Sequence, residues 1–172
     1  MAEILNRYLK ICLLANGPQD LPHSRLLFQL MVLVYFITGC LSMWPVVDFS
    51  DSFAVMLVDL TILLLFSLIC LIAFNKRPRF LQTVSALTGV GSLFQMLAWP
   101  LLLYVNEAKQ SDNVPAEASF LLLVIISWNL AVYAHIFRQA FDVRTLTAFV
   151  ITLVYVIINI KIRGFLFPDL GV

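Results

Sequence analysis

The sequence predicts an all-α fold: a polytopic transmembrane bundle of five helices, preceded by an amphipathic helix at the membrane interface. Three observations carry this. Five stretches of roughly twenty apolar residues fill most of the 172-residue chain, and about twenty residues of α-helix cross a hydrocarbon core about 30 Å thick. The chain is 62% hydrophobic and 12% charged, with a mean hydropathy of +0.96, where a soluble domain carries about 25% charge. The runs do not alternate polar and apolar residues, as the strands of a membrane barrel would.

Residues 1–25 form the first unit. Over Ala2–Ala15, Ile4, Leu5, Tyr8, Leu9 and Cys12 share one helical face, and Glu3, Asn6, Arg7 and Lys10 share the other. That pattern suits the headgroup boundary, with basic residues reaching anionic lipid. Asn16-Gly17-Pro18 is expected to stop this helix, Gly17 by a left-handed exit and Pro18 by its missing N–H. The segment Gly17–Ser24 then reads either as a turn re-aiming the chain into the bilayer or as a cytoplasmic docking loop offering Gln19, Asp20 and His23. Ser24 is placed to cap the first span.

The spans are expected at 26–47, 53–74, 80–104, 118–138 and 145–163. They form one transmembrane domain over 26–163, followed by a short tail at 164–172. Loop charge orients it. Arg7, Lys10, Arg25, Lys76, Arg77, Arg79, Arg138 and Arg144 fall on one side, and Lys109, Lys161 and Arg163 on the other. The positive-inside bias puts the N-terminus in the cytoplasm and the C-terminus on the far side. Trp44 and Trp99 fall at outer span ends, where aromatic belts form, whereas Trp128 falls mid-span. The stretch Val105–Glu117 reads as a polar, mobile outer loop.

Asp59 is the most informative residue. It lies about six residues into the second span, roughly 9 Å below the outer boundary. An ionisable group at that depth faces other helices or water, and marks a functional position by default. Its expected partners are Asn159 or Lys161 on the last span. Asn129 and Gln95 complete a candidate intramembrane polar cluster. The cluster reads either as interhelical glue or as one element of a proton or ion path.

Rows of small and polar residues at steps of three and four are expected to face the interior. They are Ser85, Thr88, Ser92 and Gln95 in the third span, and Ser127, Ala131, His135 and Arg138 in the fourth. The last span carries Thr145, Ala148, Thr152, Tyr155, Asn159 and Arg163.

No motif specifies a chemistry. Two histidines without a ligand spacing do not make a metal site, and Cys12, Cys40 and Cys70 form no paired motif. No phosphate loop, nucleophile elbow or internal repeat is present, so no cofactor and no catalytic residue is expected. A net charge of +1 argues against nucleic acid as a partner.

The layout resembles the Yip1-type membrane proteins. The resemblance rests on the proline-bearing N-terminal segment, five closely spaced spans and a very short far-side tail. His135–Ile157 (HIFRQAFDVRTLTAFVITLVYVI) is similar to the final two spans of bacterial members. Gly17–Ser24 occupies the place of the eukaryotic Asp-Leu-Tyr-Gly-Pro type of motif with different residues, so no functional position carries over. The resemblance implies a non-enzymatic role in membrane organisation, in the inner membrane of a bacterium. Membrane lipid, a second copy or another membrane protein would be its partners. The alternative from the residues themselves is a small transporter or channel subunit with a polar cavity near Asp59.

Overall fold

A computed structural model describes residues 2–44, 47–110 and 116–168. Among them six α-helices form and no strand: α1 (Ala2–Cys12), α2 (Arg25–Met43), α3 (Phe49–Ala73), α4 (Phe80–Gln110), α5 (Ala116–Phe141) and α6 (Thr145–Leu166). Short 3-10 turns at Pro18–Asp20 and Arg77–Arg79 join α1 to α2 and α3 to α4. By length and composition, the five helices after α1 can each cross a membrane.

Helix ends follow local chemistry. Ser24 caps α2, its Oγ accepting from Leu27 N at 3.4 Å. Three helices close in the same way, with a residue in the left-handed region and a following N–H reaching back five residues. Leu14 ends α1 at φ 61°, Asn75 ends α3 at φ 55° and Asp142 ends α5 at φ 61°. The closing bonds are Ala15 N to Lys10 O at 2.9 Å, Lys76 N to Leu71 O at 2.7 Å and Val143 N to Arg138 O at 3.2 Å. The expected exit at Gly17 is therefore corrected: Gly17 has an ordinary φ of −113° and caps the 3-10 turn, while Leu14 makes the left-handed turn three residues earlier. The amphipathic pattern outlasts the hydrogen-bond ladder there, which is why the sequence suggests a later end.

Further boundaries differ from expectation, notably at α3 and α4. α3 starts at Phe49 rather than at residue 53, with Asp51 in its first turn, where the helix dipole favours a carboxylate. α4 runs through Pro100 to Gln110, so residues 105–110 are helical rather than a loop. The ring of Pro100 withholds only one N–H from the ladder, and Pro100 lies on an exposed face. Residues 111–115 of the expected loop and 169–172 of the tail lie outside the described residues.

The bundle is built around α4. From Thr83 to Ser92 every residue of α4 is buried, so its wall is covered all round, by α1, α2, α3 and α5. Small residues in that stretch let neighbours approach: Gly89 receives the ring of Tyr8, and Gly91 receives Tyr35 and Tyr133. α3 and α6 close the bundle against α5 and each other. The basic end is filled by rings: Phe74 stacks on Phe141 at 5.3 Å, Phe141 on Phe137 at 5.2 Å, and Phe66 contacts Phe137 at 6.0 Å. Arg79 donates from Nη1 to Gln139 O and Ala140 O, at 3.0 and 3.2 Å, covering two carbonyls that the end of α5 leaves open. Leucine, isoleucine and phenylalanine side chains occupy the outward surfaces of all five long helices.

α1 does not stand free on a surface. Tyr8 and Ile11 are buried against the bundle, while Leu5, Leu9 and Leu13 remain exposed beside them. Tyr8 Oη donates to Ser85 O at 3.1 Å. Trp128 Nε1 donates to Cys12 O at 3.0 Å, and His135 Nε2 meets Asn16 O at 3.0 Å. The chain from α1 to α2 is thus strapped to α4 and α5, a contact pattern that amphipathicity alone does not specify.

Candidate functional site

Asp59 sits ten residues into α3, about 15 Å along its axis. The earlier start of α3 puts it four residues farther from the start of its helix than expected. Its side chain is buried between α2, α3 and α6, and each oxygen has a donor from a different helix. Tyr35 Oη on α2 donates to Oδ2 at 2.6 Å, and Asn159 Nδ2 on α6 donates to Oδ1 at 2.6 Å. Arg163, one turn beyond Asn159, extends Nη1 toward Asn159 Oδ1 at 3.5 Å. Its Nε is buried without a hydrogen-bond partner among the described residues. The cluster places a phenol, a carboxylate, a carboxamide and a guanidinium in sequence across three helices.

The other candidates separate. Lys161 lies on an exposed face of α6 and makes no ion pair with Asp59. Two residues along a helix turn a side chain by about 200°, so Asn159 and Lys161 face opposite ways. Gln95 accepts from Thr38 Oγ1 at 2.6 Å, one turn beyond Tyr35 on α2. Asn129, half-buried on α5, faces the same space as Gln95: a cleft of about 220 Å³ between α2, α4 and α5. Tyr35 and Tyr133 line this cleft and Asp59 does not, so the phenol of Tyr35 separates the carboxylate from the open space.

The expected inward rows of α4 and α6 are observed in their central parts: Ser85, Thr88, Ser92, Ala148, Thr152, Tyr155 and Asn159 are all buried. Thr145, at the end of its row, is exposed. The row of α5 is corrected. Ser127 and Ala131 are exposed, and the buried face carries Val132, Tyr133, Ile136, Phe137 and Ala140. The small residues of the α4–α5 seam are on α4, so α5 supplies the large side chains that fill against them. Trp128 packs edge-on against Phe94 at 5.6 Å while holding Cys12 O.

In the Gly17–Ser24 segment, Gln19 and Leu21 bind back to the bundle. Gln19 Nε2 donates to Gln139 Oε1 at 3.1 Å, and Gln82 Nε2 donates to Leu21 O at 2.7 Å. Asp20 Oδ2 accepts from Gly17 N at 2.8 Å, and Arg7 Nη1 donates to Asp20 O. His23 is exposed. Among the described residues, no three His, Cys, Asp or Glu side chains converge on one point.

Tyr35 and Tyr133 are the members that sequence reasoning missed. Their signal is a hydroxyl in mid-span, far from either aromatic belt: a buried tyrosine needs a partner for that hydroxyl.

Comparison with models of known families, with curated proteins and with solved structures gives no match.

Proposed function

We propose that this integral membrane protein has a non-enzymatic role, acting through contacts of its helices with lipid and with other membrane proteins, as the Yip1-type proteins that it resembles in layout do. One observation carries the reading. Both oxygens of the buried Asp59 are occupied, by donors from α2 and α6, so the carboxylate ties three helices together. A path for protons or ions needs polar groups in series around open space. Here the open space ends at Tyr35. The wide apolar surface of the five long helices supports the same view, since it offers contact area and no reactive groups. The proposal sets the basic face, with Lys76, Arg77 and Arg79, at the cytoplasm of a bacterial inner membrane, following the positive-inside bias.

The test is Asp59→Asn. The amide presents an N–H where one of the two donors now finds an acceptor. Hydrogen bonds between membrane helices contribute about 0.6 kcal/mol on average and at most about 1.7. The variant is therefore expected to lose about 1–2 kcal/mol of stability, read from unfolding in detergent, and proteoliposomes are expected to carry no flux that depends on the wild-type protein. A proton or cation flux in wild-type vesicles that Asp59→Asn abolishes would overturn the reading in favour of a transporter.

A further inference from the structure

The cleft between α2, α4 and α5 has a chemistry of its own. Its floor is Tyr35, Gly91 and Tyr133, and it rises along α4 past Gln95 and Ala98 to Leu102. That is eleven residues of helix from Gly91, or about 16 Å. It occupies the half of the bundle away from the basic turns, beside the end of α2, which is much shorter than α4.

Most of its polar groups are committed within the protein. Ser42 Oγ donates to Gly39 O at 2.9 Å, Tyr133 Oη to Leu87 O at 3.2 Å, and Tyr35 Oη to Asp59. Gln95 Oε1 accepts from Thr38. What remains to face the cleft is the half-buried carboxamide of Asn129 and, beside it, the Gln95 side chain, two uncharged groups that both donate and accept. Two carboxamides on one cleft with apolar walls give it a neutral polar patch that can exchange hydrogen bonds with an uncharged head group.

We propose that this cleft binds a neutral single-chain lipid with a hydroxyl-bearing head, of the monoacylglycerol class. Two carboxamides offer donors and acceptors but no countercharge, so they match hydroxyl groups rather than a phosphate, an ammonium or a carboxylate. The Asp59 carboxylate lies behind Tyr35 with both oxygens occupied and offers no site for a cation. About 220 Å³ holds roughly seven waters' worth of head group. Phe94 and Ile125 supply apolar walls, and Ile126 lines the cleft while being 61% exposed, so an acyl chain leaves past it into the surrounding lipid.

The experiment uses the full chain purified in detergent, with lipid retention measured by native mass spectrometry. The probes are 1-oleoylglycerol, methyl oleate (the same chain without a hydroxyl) and oleate. Wild-type protein is expected to retain 1-oleoylglycerol at least about tenfold more strongly than either comparator. Asn129→Leu is expected to lower that retention about tenfold, and Ser127→Leu, on the exposed face of the same helix, to leave it unchanged. The three-probe comparison on wild-type protein stands even if Asn129→Leu fails to fold. Equal retention of all three probes, retention unchanged in a folded Asn129→Leu, or no retention of 1-oleoylglycerol (a cleft filled by water alone) would each overturn the proposal. These results are independent of the flux measured for Asp59.

Discussion

The strap of α1 makes a quantitative prediction through Trp128. The last four carbonyls of a helix lack partners within it. In α1 all four are accounted for: Leu9 O accepts from Leu13 N at 3.0 Å, Lys10 O from Ala15 N at 2.9 Å, and Ile11 O from Leu14 N at 2.9 Å. Cys12 O, the last, takes the indole N–H of Trp128 from α5. Trp128→Phe keeps a ring against Phe94 and deletes that donor, and apolar surroundings supply no water to replace it. Losing a partner for a carbonyl away from water costs about 1–2 kcal/mol, which raises the open population of α1 by about 5- to 30-fold. The Cys12 thiol reports it. Burial pushes it up to about 11, so at pH 8 only about one in a thousand is thiolate while α1 is docked. Release returns it toward the ordinary value and exposes it, so alkylation follows opening. With Cys40 and Cys70 replaced by alanine, Trp128→Phe is expected to label at Cys12 about 5- to 30-fold faster. A wild-type Cys12 that labels as fast as an exposed thiol, or an unchanged rate in Trp128→Phe, would refute the claim that α1 is held by this bond.

Glycine substitutions test the seams around α4. A Cβ at Gly91 would stand 2.5 Å from the Tyr35 ring and 2.7 Å from Tyr133 Oη, so Gly91→Ala is expected to cost about 2 kcal/mol in detergent unfolding. Gly39→Ala meets chiefly the mobile thioether end of Met56 and is expected to cost clearly less. Leu14→Gly relieves a left-handed leucine, worth about 1–2 kcal/mol, against the greater freedom glycine has when unfolded; a net gain of about 0.5–1 kcal/mol is expected in the docking of α1, read by slower Cys12 labelling. The side-chain hydrogen bond from Arg7 holds Glu3 below its ordinary value of 4.5. A lowered carboxyl stabilises the docked state fully above the ordinary value and loses that contribution as pH falls through the lowered one. Amide exchange in α1, corrected for its intrinsic pH dependence, is therefore expected to quicken only below about pH 4.5, and Glu3→Gln to remove the effect.

The five spans were legible because hydrophobicity and length are summed over twenty residues, and small local errors cancel. Their ends were less so. Phe49–Ser52 carries Asp51 and two serines, and residues 105–110 are polar, so both looked like loops on hydropathy while the backbone ladder runs through them. Asp59 and Asn159 were legible as a pair because their depths agree and hydrocarbon leaves a carboxylate few choices. Lys161 was indistinguishable from Asn159 by depth; only the direction in which each leaves the helix separates them. The α5 row failed for a different reason. Small residues mark a seam only when the partner helix supplies the large ones, and here α4 had already taken the small role with Gly91, which receives Tyr133 of α5. Nor does amphipathicity reveal that Trp128 and His135 would receive the backbone of Cys12 and Asn16.

The two halves of the bundle are closed by different means. Toward the basic turns the helices are locked by stacked phenylalanines, by Arg79 on the carbonyls of α5, and by α1 strapped across α4 and α5. The exposed Lys76–Asp142 pair at 3.3 Å adds little to that lock, as ion pairs in water contribute about 0–1 kcal/mol. Toward the opposite end a polar tie joins the aromatic contacts: one carboxylate is held by two short bonds, beside a cleft floored by the phenols of Tyr35 and Tyr133. The two ends therefore differ in what a substitution must disturb: at one, several stacked rings that pack on each other; at the other, two side-chain hydrogen bonds that converge on Asp59.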